Sequence, residues 1–182
     1  ATKAFSPQSD VCLILSGDMP LIEGATISNL LSRFESAKLD LAFVSVKVAD
    51  PAYFGRIIRD ASSKVKAIVE AKDCSAEQLQ IDEVNASVYL ARIGFLKEAL
   101  LSLQPNNVQA ELYLPDIVQW GVEKSHKVEA LVHPDAVELL GANSIAELSA
   151  LDVYRRRQLN QQWMNNGVTF ENPEAAYIDE DV

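Results

Sequence analysis

Val11-Cys12-Leu13-Ile14-Leu15-Ser16-Gly17-Asp18 is a short unbroken apolar run closed by a serine, a glycine and a carboxylate. A run of this kind reads as a strand covered on both faces. Downstream, Ile27, Leu30, Leu31 and Phe34 recur at helical spacing, and Leu39 to Val48 form a second strand. That strand is continuous at first, then alternates Val44, Val46 and Val48 against Ser45 and Lys47. Buried run, helical period and buried run in succession predict a β-α-β crossover, with strands 11–15 and 39–48 parallel and a helix over 25–34 across one face. The fold class read from this stretch is α/β.

Outward from it, Gly55-Arg56-Ile57-Ile58-Arg59, a polar break at Asp60-Ala61-Ser62-Ser63, and Val65 to Val69 predict a hairpin. The sheet is therefore expected to be mixed and mostly parallel, a partial Rossmann-like arrangement. Val84, Ala86, Val88 and Leu90 alternate with Asn85, Ser87 and Tyr89 as a further strand, and Phe95, Leu96, Ala99, Leu100 and Leu103 mark the helix after it. Pro115 suits the first turn of another helix, and Val128 to Val132 a short strand closed by His133-Pro134. Ser144-Ile145-Ala146-Glu147 has capping-box spacing and opens a helix through Leu148, Leu151 and Tyr154 that stops near Asn165-Asn166-Gly167. Gly167 divides the chain into residues 1–166 and a Pro-broken, strand-like tail, 167–182.

The 182 residues are 48% hydrophobic and 23% charged, enough apolar mass for a real core. Sixteen Lys and Arg against 26 Asp and Glu leave a net charge of −10, which opposes binding to a nucleic-acid backbone or an anionic lipid surface. No apolar stretch approaches the roughly 18 to 20 residues of a membrane span, and no signal-peptide order opens the chain, so the expected location is the cytoplasm. Cys12 and Cys74 stand apart with no metal-spaced partner, which argues against a disulfide framework or a zinc site. The opening Ala1-Thr2-Lys3 and the closing Ile178-Asp179-Glu180-Asp181-Val182 read as cut ends.

Asp18 is expected at the carboxyl edge of the sheet, where α/β proteins bind ligands. The ordinary alternative is a turn in which its carboxylate bonds nearby backbone N–H groups.

Six segments, in order, give the chain a likeness beyond its fold class: Ser16-Gly17-Asp18-Met19-Pro20-Leu21-Ile22, Tyr53-Phe54-Gly55-Arg56-Ile57, Ile68-Val69-Glu70-Ala71-Lys72-Asp73, Glu83-Val84-Asn85, Gln109-Ala110-Glu111-Leu112-Tyr113-Leu114-Pro115-Asp116-Ile117 and Gly141-Ala142-Asn143-Ser144. Together they resemble the uridylyltransferase half of the bacterial bifunctional N-acetylglucosamine-1-phosphate uridylyltransferase/glucosamine-1-phosphate acetyltransferase family. The tail from Gly167 to Val182 resembles the start of that family's left-handed β-helix.

The resemblance implies a magnesium ion held by Asp18 and Asn143, whose hard oxygens suit that metal. It further implies that Gly55 offers its backbone N–H to the amino sugar, and that Glu70 and Asn85 bond the sugar ring and its acetamido group. The substrates implied are UTP and N-acetylglucosamine 1-phosphate, the product UDP-N-acetylglucosamine with pyrophosphate, and the assembled family member a homotrimer. Two anions must be brought together, so the charge on the transferring group has to be neutralised, and the attacking phosphate needs no general base. His126 and His133 accordingly read as surface or loop residues. Taken alone, Glu70 could be a solvated carboxylate, Asn85 a solvent-facing strand residue and Asn143 a loop residue before a cap. A shared magnesium predicts that the Asp18 and Asn143 oxygens face one cavity, within roughly 4 to 5 Å of each other for direct ligation at about 2.1 Å.

The chain departs from the family pattern in places. Asn85-Ala86-Ser87 stands for Asn-Thr-Gly, Ala110-Glu111-Leu112-Tyr113-Leu114-Pro115-Asp116 for Gly-Glu-Tyr-Tyr-Leu-Thr-Asp, and Asn143-Ser144-Ile145 for Asn-Asn-Arg. The glycines at 17, 24, 55, 94, 121, 141 and 167 are all isolated, so the family's glycine-rich triphosphate loop cannot be built from them. The first βαβ unit is thus expected to be missing and the chain alone to be inactive. The rival reading is a non-catalytic sugar-phosphate-binding or assembly protein.

Overall fold

The structure, a computed structural model, describes residues 10–179. In chain order they form β1 (Val11–Leu15), α1 (Gly24–Ser36), β2 (Leu41–Lys47), β3 (Arg56–Arg59), β4 (Val65–Val69), β5 (Glu83–Arg92), α2 (Ile93–Ser102), α3 (Asp116–Glu123), β6 (Val128–His133) and α4 (Ile145–Asn165). All six strands join one sheet with β5 at its centre. β2 runs along one whole edge of β5, antiparallel, from Leu41 opposite Ala91 to Lys47 opposite Glu83. Two strands divide the other edge: β1 pairs with Val88 to Arg92 and β3 meets it at Val84, both antiparallel. β4 hangs on β3 as the expected hairpin, and β6 lies parallel to β2.

The expected crossover is right in direction and wrong in adjacency. β1 and β2 run the same way, but β5 is inserted between them, antiparallel to both. The sheet is mixed as expected, yet it is not mostly parallel: among the described residues the β2–β6 ladder is the parallel one and the other four are antiparallel. The reason is that β5 is buried on both faces nearly throughout its ten residues. Such a strand gains most at the centre of the sheet, and α1 returns the chain one strand further over to leave that place open.

Alternation along β2 and β5 builds a core on each side. Leu41, Phe43, Tyr89 and Ala91 pack under α2 and α3 against Phe95, Leu96, Ile117 and Val118. Ala42, Val44, Val46, Val88 and Leu90 face α1 through Leu30 and Phe34. Phe34 is fully buried, a contribution of about 2 to 3 kcal/mol. Among the described residues no helix is long and apolar enough to cross a membrane.

α4 begins where the capping box predicts: the Ser144 hydroxyl accepts from the Glu147 N–H at 3.2 Å. The Glu147 carboxylate reaches one residue further back than a capping box requires and accepts from the Asn143 N–H at 2.7 Å. At the other end Gly167 takes φ +92°, with Gly167 N–H bonded to Met164 O and Val168 N–H to Trp163 O, a Schellman stop. No strand follows through residue 179. The tail makes a short 3-10 turn at Pro173–Ala175, and the buried Asn160 amide donates to the Pro173 and Ala176 carbonyls, occupying groups a strand would pair. The first coil of a β-helix is therefore not seen in the described part of the tail, and residues 180–182 lie outside it.

Gly121 on α3 is held by contact, since a Cβ there would lie 2.9 Å from the Phe95 ring and 3.0 Å from Val128. Gly121→Ala should destabilise by about 1 to 3 kcal/mol in urea unfolding, because overpacking outweighs the roughly 1 kcal/mol of helix propensity that alanine gains.

Candidate functional site

β1, β2 and β6 run the same way, so the loops after them emerge at one end of the sheet. Those loops carry Asp18, Tyr53 and Asn143 respectively, and the antiparallel β5 enters at that end with Asn85. The divided edge of β5 makes room for a site there. β1 finishes at Leu15 opposite Val88 and β3 starts at Arg56 opposite Val84, leaving Ala86 and Ser87 without a strand partner on that side. On the other edge the β2 register jumps between Phe43–Tyr89 and Ser45–Asn85, so Ala86-Ser87-Val88 bulge opposite the single Val44. Bulges of this sort re-aim side chains beside binding sites.

A cavity of about 350 Å³ opens at this point, with Asp18, Tyr53, Asn85, Ser87, Asn143 and Glu147 among its walls. Three of the five sequence-predicted residues, Asp18, Asn85 and Asn143, therefore share one cavity. Asp18 and Asn143 come together although 125 positions separate them in the chain, and the loops bearing them are joined by Ala142 N–H donating to Asp18 O at 2.9 Å. Gly141 permits the approach, since a Cβ there would lie 2.7 Å from Asp18 Oδ2. Gly55 and Glu70 are not on the cavity's walls. They sit against each other and next to Asn85: a Cβ on Gly55 would be 3.1 Å from Glu70 Oε1, and the Asn85 N–H donates to Gly55 O at 2.8 Å.

Asn85 is 5% exposed, so the solvent-facing alternative is overturned. Its amide donates to the Tyr89 hydroxyl at 2.7 Å and its Oδ1 accepts from Ser87 N–H at 3.1 Å. Glu70 is not freely solvated either. Burial raises its carboxyl above the ordinary range, and the nearby Asp116 and Asp73 add to the shift. Asp116 is raised in the same way by burial and by Asp73. The histidines, too, are more than surface residues. His126 stacks on Trp120 and meets Asp40 at 3.3 Å, while His133 faces Thr26 and Glu138 with its side chain 16% exposed. Both are structural anchors away from the cavity walls.

Sequence reasoning gave no role in the site to Tyr53, Glu147 or Arg56. Tyr53 is 75% exposed on the cavity rim, in a loop held by the buried Arg56 guanidinium, which donates to the Pro51, Ala52 and Phe54 carbonyls. Glu147 was legible as a cap but not as a cavity wall. Two departures from the family pattern also gain a physical reading: Ser87 and Ala110 stand where the family has glycine, and both adopt left-handed backbone, φ 57° and 51°. Pro115 is the residue before α3 and can donate no N–H there.

The donors present fit a magnesium ion. Asp18 and Asn143, which carry carboxylate and carbonyl oxygens, line the same cavity, and space at Gly141 seats the carboxylate. Among the described residues no group of three or more His, Cys, Asp or Glu could hold a metal unaided. Magnesium does not require one, since it keeps waters and substrate phosphate oxygens around one or two protein ligands.

No protein-family model matches the chain. It is 42% identical over 169 residues to the "Bifunctional protein GlmU" of Clostridium botulinum (strain Loch Maree), covering 93% of this chain and 37% of that protein. Against the protein of the same name from Halalkalibacterium halodurans it is 36% identical over 181 residues, covering all of this chain and 40% of the relative. The chain thus spans little more than a third of the length of the curated relatives it matches. A Bacillus anthracis structure described as a glucose-1-phosphate thymidylyltransferase superposes on 92% of this chain and 59% of its own at TM-score 0.58 and 16% identity, a likeness of fold.

Two outcomes follow from this geometry. Ser87→Gly should raise stability by about 0.5 to 1 kcal/mol in urea melts, because glycine adopts the left-handed backbone without steric cost. Glu70→Gln should gain stability over the parent as pH rises. A raised carboxyl pKa contributes stability that is full below its unfolded value near 4 and lost as pH climbs through the folded value. The two proteins should converge in thermal melts below about pH 4 and separate toward pH 7.

Proposed function

Because the chain is a homologue, over nearly its whole length, of a stretch of the bifunctional GlmU proteins, we propose that it forms the sugar-phosphate and metal side of a nucleotidyl-transfer site. The reaction is magnesium-dependent transfer of the uridylyl group of UTP to N-acetylglucosamine 1-phosphate, giving UDP-N-acetylglucosamine and pyrophosphate. One observation carries this reading: Asp18 and Asn143, remote in sequence, line one cavity with Gly141 making room for the carboxylate.

In this reading Asp18 and Asn143 hold magnesium, which when bound supplies charge neutralisation between the two phosphate-bearing substrates. The chain's own residues bind and orient. Asn85, fixed by its bonds to Tyr89 and Ser87, presents its remaining amide capacity to the acetamido group. Glu70 and the Gly55 backbone, which lie off the cavity's walls, pack together behind Asn85 and set its position, the Asn85 N–H donating to Gly55 O. Tyr53 borders the entrance on its Arg56-held loop. The sugar phosphate is already an oxyanion, so no residue need remove a proton from it. The triphosphate cradle is not among these 182 residues, and without it the chain binds sugar phosphate weakly and does not turn it over. Loss of that positioning alone is worth about 7 kcal/mol or more. Homotrimeric assembly completes the proposed parent protein.

A chimera in which this chain replaces the matching stretch of the C. botulinum protein tests the reading. Magnesium-dependent pyrophosphate release from UTP and N-acetylglucosamine 1-phosphate is expected. Asp18→Ala in the chimera should lower it about 100-fold or more, given the several kcal/mol that a metal contributes to charge stabilisation. A folded chimera that binds the sugar phosphate but releases no pyrophosphate would support the rival, non-catalytic binding role.

A further inference from the structure

We propose that Glu138 is a positioning residue for the Asp18–Asn143 pair: its carboxylate staples the loop that carries Asn143 to the start of α1, and so to the loop that carries Asp18. The inference rests on the metal reading above for its consequence, and on hydrogen bonds alone for its mechanism.

Glu138 lies in a 3-10 turn, Val137–Leu139, between β6 and the Gly141-Ala142-Asn143 segment. Its side chain is 11% exposed. Oε1 accepts from the Glu23 backbone N–H at 3.1 Å and from the Thr26 hydroxyl, and Oε2 lies 3.3 Å from His133 Nε2. Thr26 is itself 6% exposed and also meets His133 Nε2 at 3.0 Å, while His133 Nδ1 is fixed by Asp135 backbone atoms at 2.9 and 3.1 Å. The carboxylate does the work of a missing cap. Glu23 precedes α1 without a side-chain cap bond, and the first turn of α1 contains no acidic residue. A carboxylate delivered from 115 positions away satisfies one free donor there and complements the positive end of the helix.

The placement matters because the two loops touch again nearer the cavity, where Ala142 N–H bonds Asp18 O and Gly141 packs on the Asp18 carboxylate. Glu23 is five residues from Asp18, and its side chain reaches Arg155 on α4 at 3.6 Å, the helix that Asn143 leads into. The staple therefore closes a ring of contacts, α1 start to Glu138 to Gly141–Asn143 to Asp18, inside which the two oxygen donors are set. Glu138 does not line the cavity; it acts through the loop.

Amide hydrogen exchange on the 182-residue chain, with Mn²⁺ as a paramagnetic probe, tests the proposal. In the parent protein the Glu23 and Ala142 amides should both be protected. Glu138→Ala should speed exchange at both, although Ala142 N–H is not bonded to Glu138. The Mn²⁺ concentration that broadens the Asp18 and Asn143 resonances, measured with N-acetylglucosamine 1-phosphate present, should rise about 10-fold, the usual scale for an outer-shell residue. Glu138→Gln keeps the acceptor and should retain most of the protection and the Mn²⁺ response, which a purely space-filling role would not distinguish. Thr26→Val, a near-isosteric loss of one donor, should give a smaller change of the same pattern and serves if Glu138→Ala does not fold. Exposure of Glu23 with unchanged Ala142 protection would overturn the staple. Coupled exchange with no Mn²⁺ response in the parent protein would instead leave the staple standing and reject the metal reading.

Discussion

The structure depends on the division of one edge of β5. A ten-residue strand buried on both faces needs hydrogen-bond partners along both edges, because an unpaired buried backbone group costs about as much as a lost hydrogen bond. β2 satisfies one edge in full. β1 and β3 satisfy the other only in part, and the stretch between them is relieved by the bulge at Ala86-Ser87-Val88. The opening at that gap is where the cavity lies, so the site is a consequence of how the central strand is paired and not an addition to the surface. The same gap explains why Asn85 bonds Tyr89, Ser87 and Gly55: these polar groups would otherwise be stranded at an interrupted ladder.

A second buried polar link holds this arrangement from below. Glu83 at the start of β5 takes bonds from Arg59 of β3 at 2.8 and 2.6 Å and from Ser45 of β2 at 2.6 Å. Burial alone would push its carboxyl up, but the bonds from Arg59 and Ser45, with the Arg59 and Lys47 charges, outweigh that and hold it below the ordinary range. A buried pair of this kind contributes less net stability than its Coulomb energy suggests, since both groups lose hydration. Its effect here is on register: three adjacent strands are fixed at the end of the sheet that carries the cavity.

Much of this was legible in the sequence wherever the signal is local. The β3–β4 hairpin, the β5 strand, the α4 cap at Ser144 and the stop at Gly167 each follow from turn chemistry or periodicity within a few residues. The place of β5 between β1 and β2 was not, because run-helix-run fixes strand direction while adjacency is settled by a strand some 40 residues later that competes for the centre. The site divides the same way. Asp18 and Asn143 could be named from the ordered segments of a family resemblance, but nothing near either one announces that Gly141 must lack a side chain to admit the carboxylate. Nor does sequence spacing expose Arg56 gripping the Tyr53 loop through backbone carbonyls, or the left-handed backbone at Ser87 and Ala110. Each is a statement about φ or about contacts across the fold, which periodicity does not encode.

The charge distribution sets the remaining condition on any phosphate that enters. The chain carries net charge −10, and beside Asn85 the half-buried Glu70 stands with Asp73 and Asp116, whose mutual repulsion and burial already raise the Glu70 and Asp116 carboxyls. Arg59 is paired with Glu83, and the buried Arg56 guanidinium gives its two terminal nitrogens to loop carbonyls, keeping its charge and an unpartnered Nε–H as a partial counterweight. An anion seated between Asp18 and Asn85 therefore meets carboxylates that one arginine does not balance and is favoured when a cation enters with it; at 4 Å two unit charges in a partly solvated site interact by about 4 kcal/mol. That magnitude corresponds to about a thousandfold in affinity, so in the proposed reading a divalent ion at Asp18 and Asn143 would govern binding as well as chemistry. In that reading the geometry of the loops that bear Asp18 and Asn143 is a determinant of both.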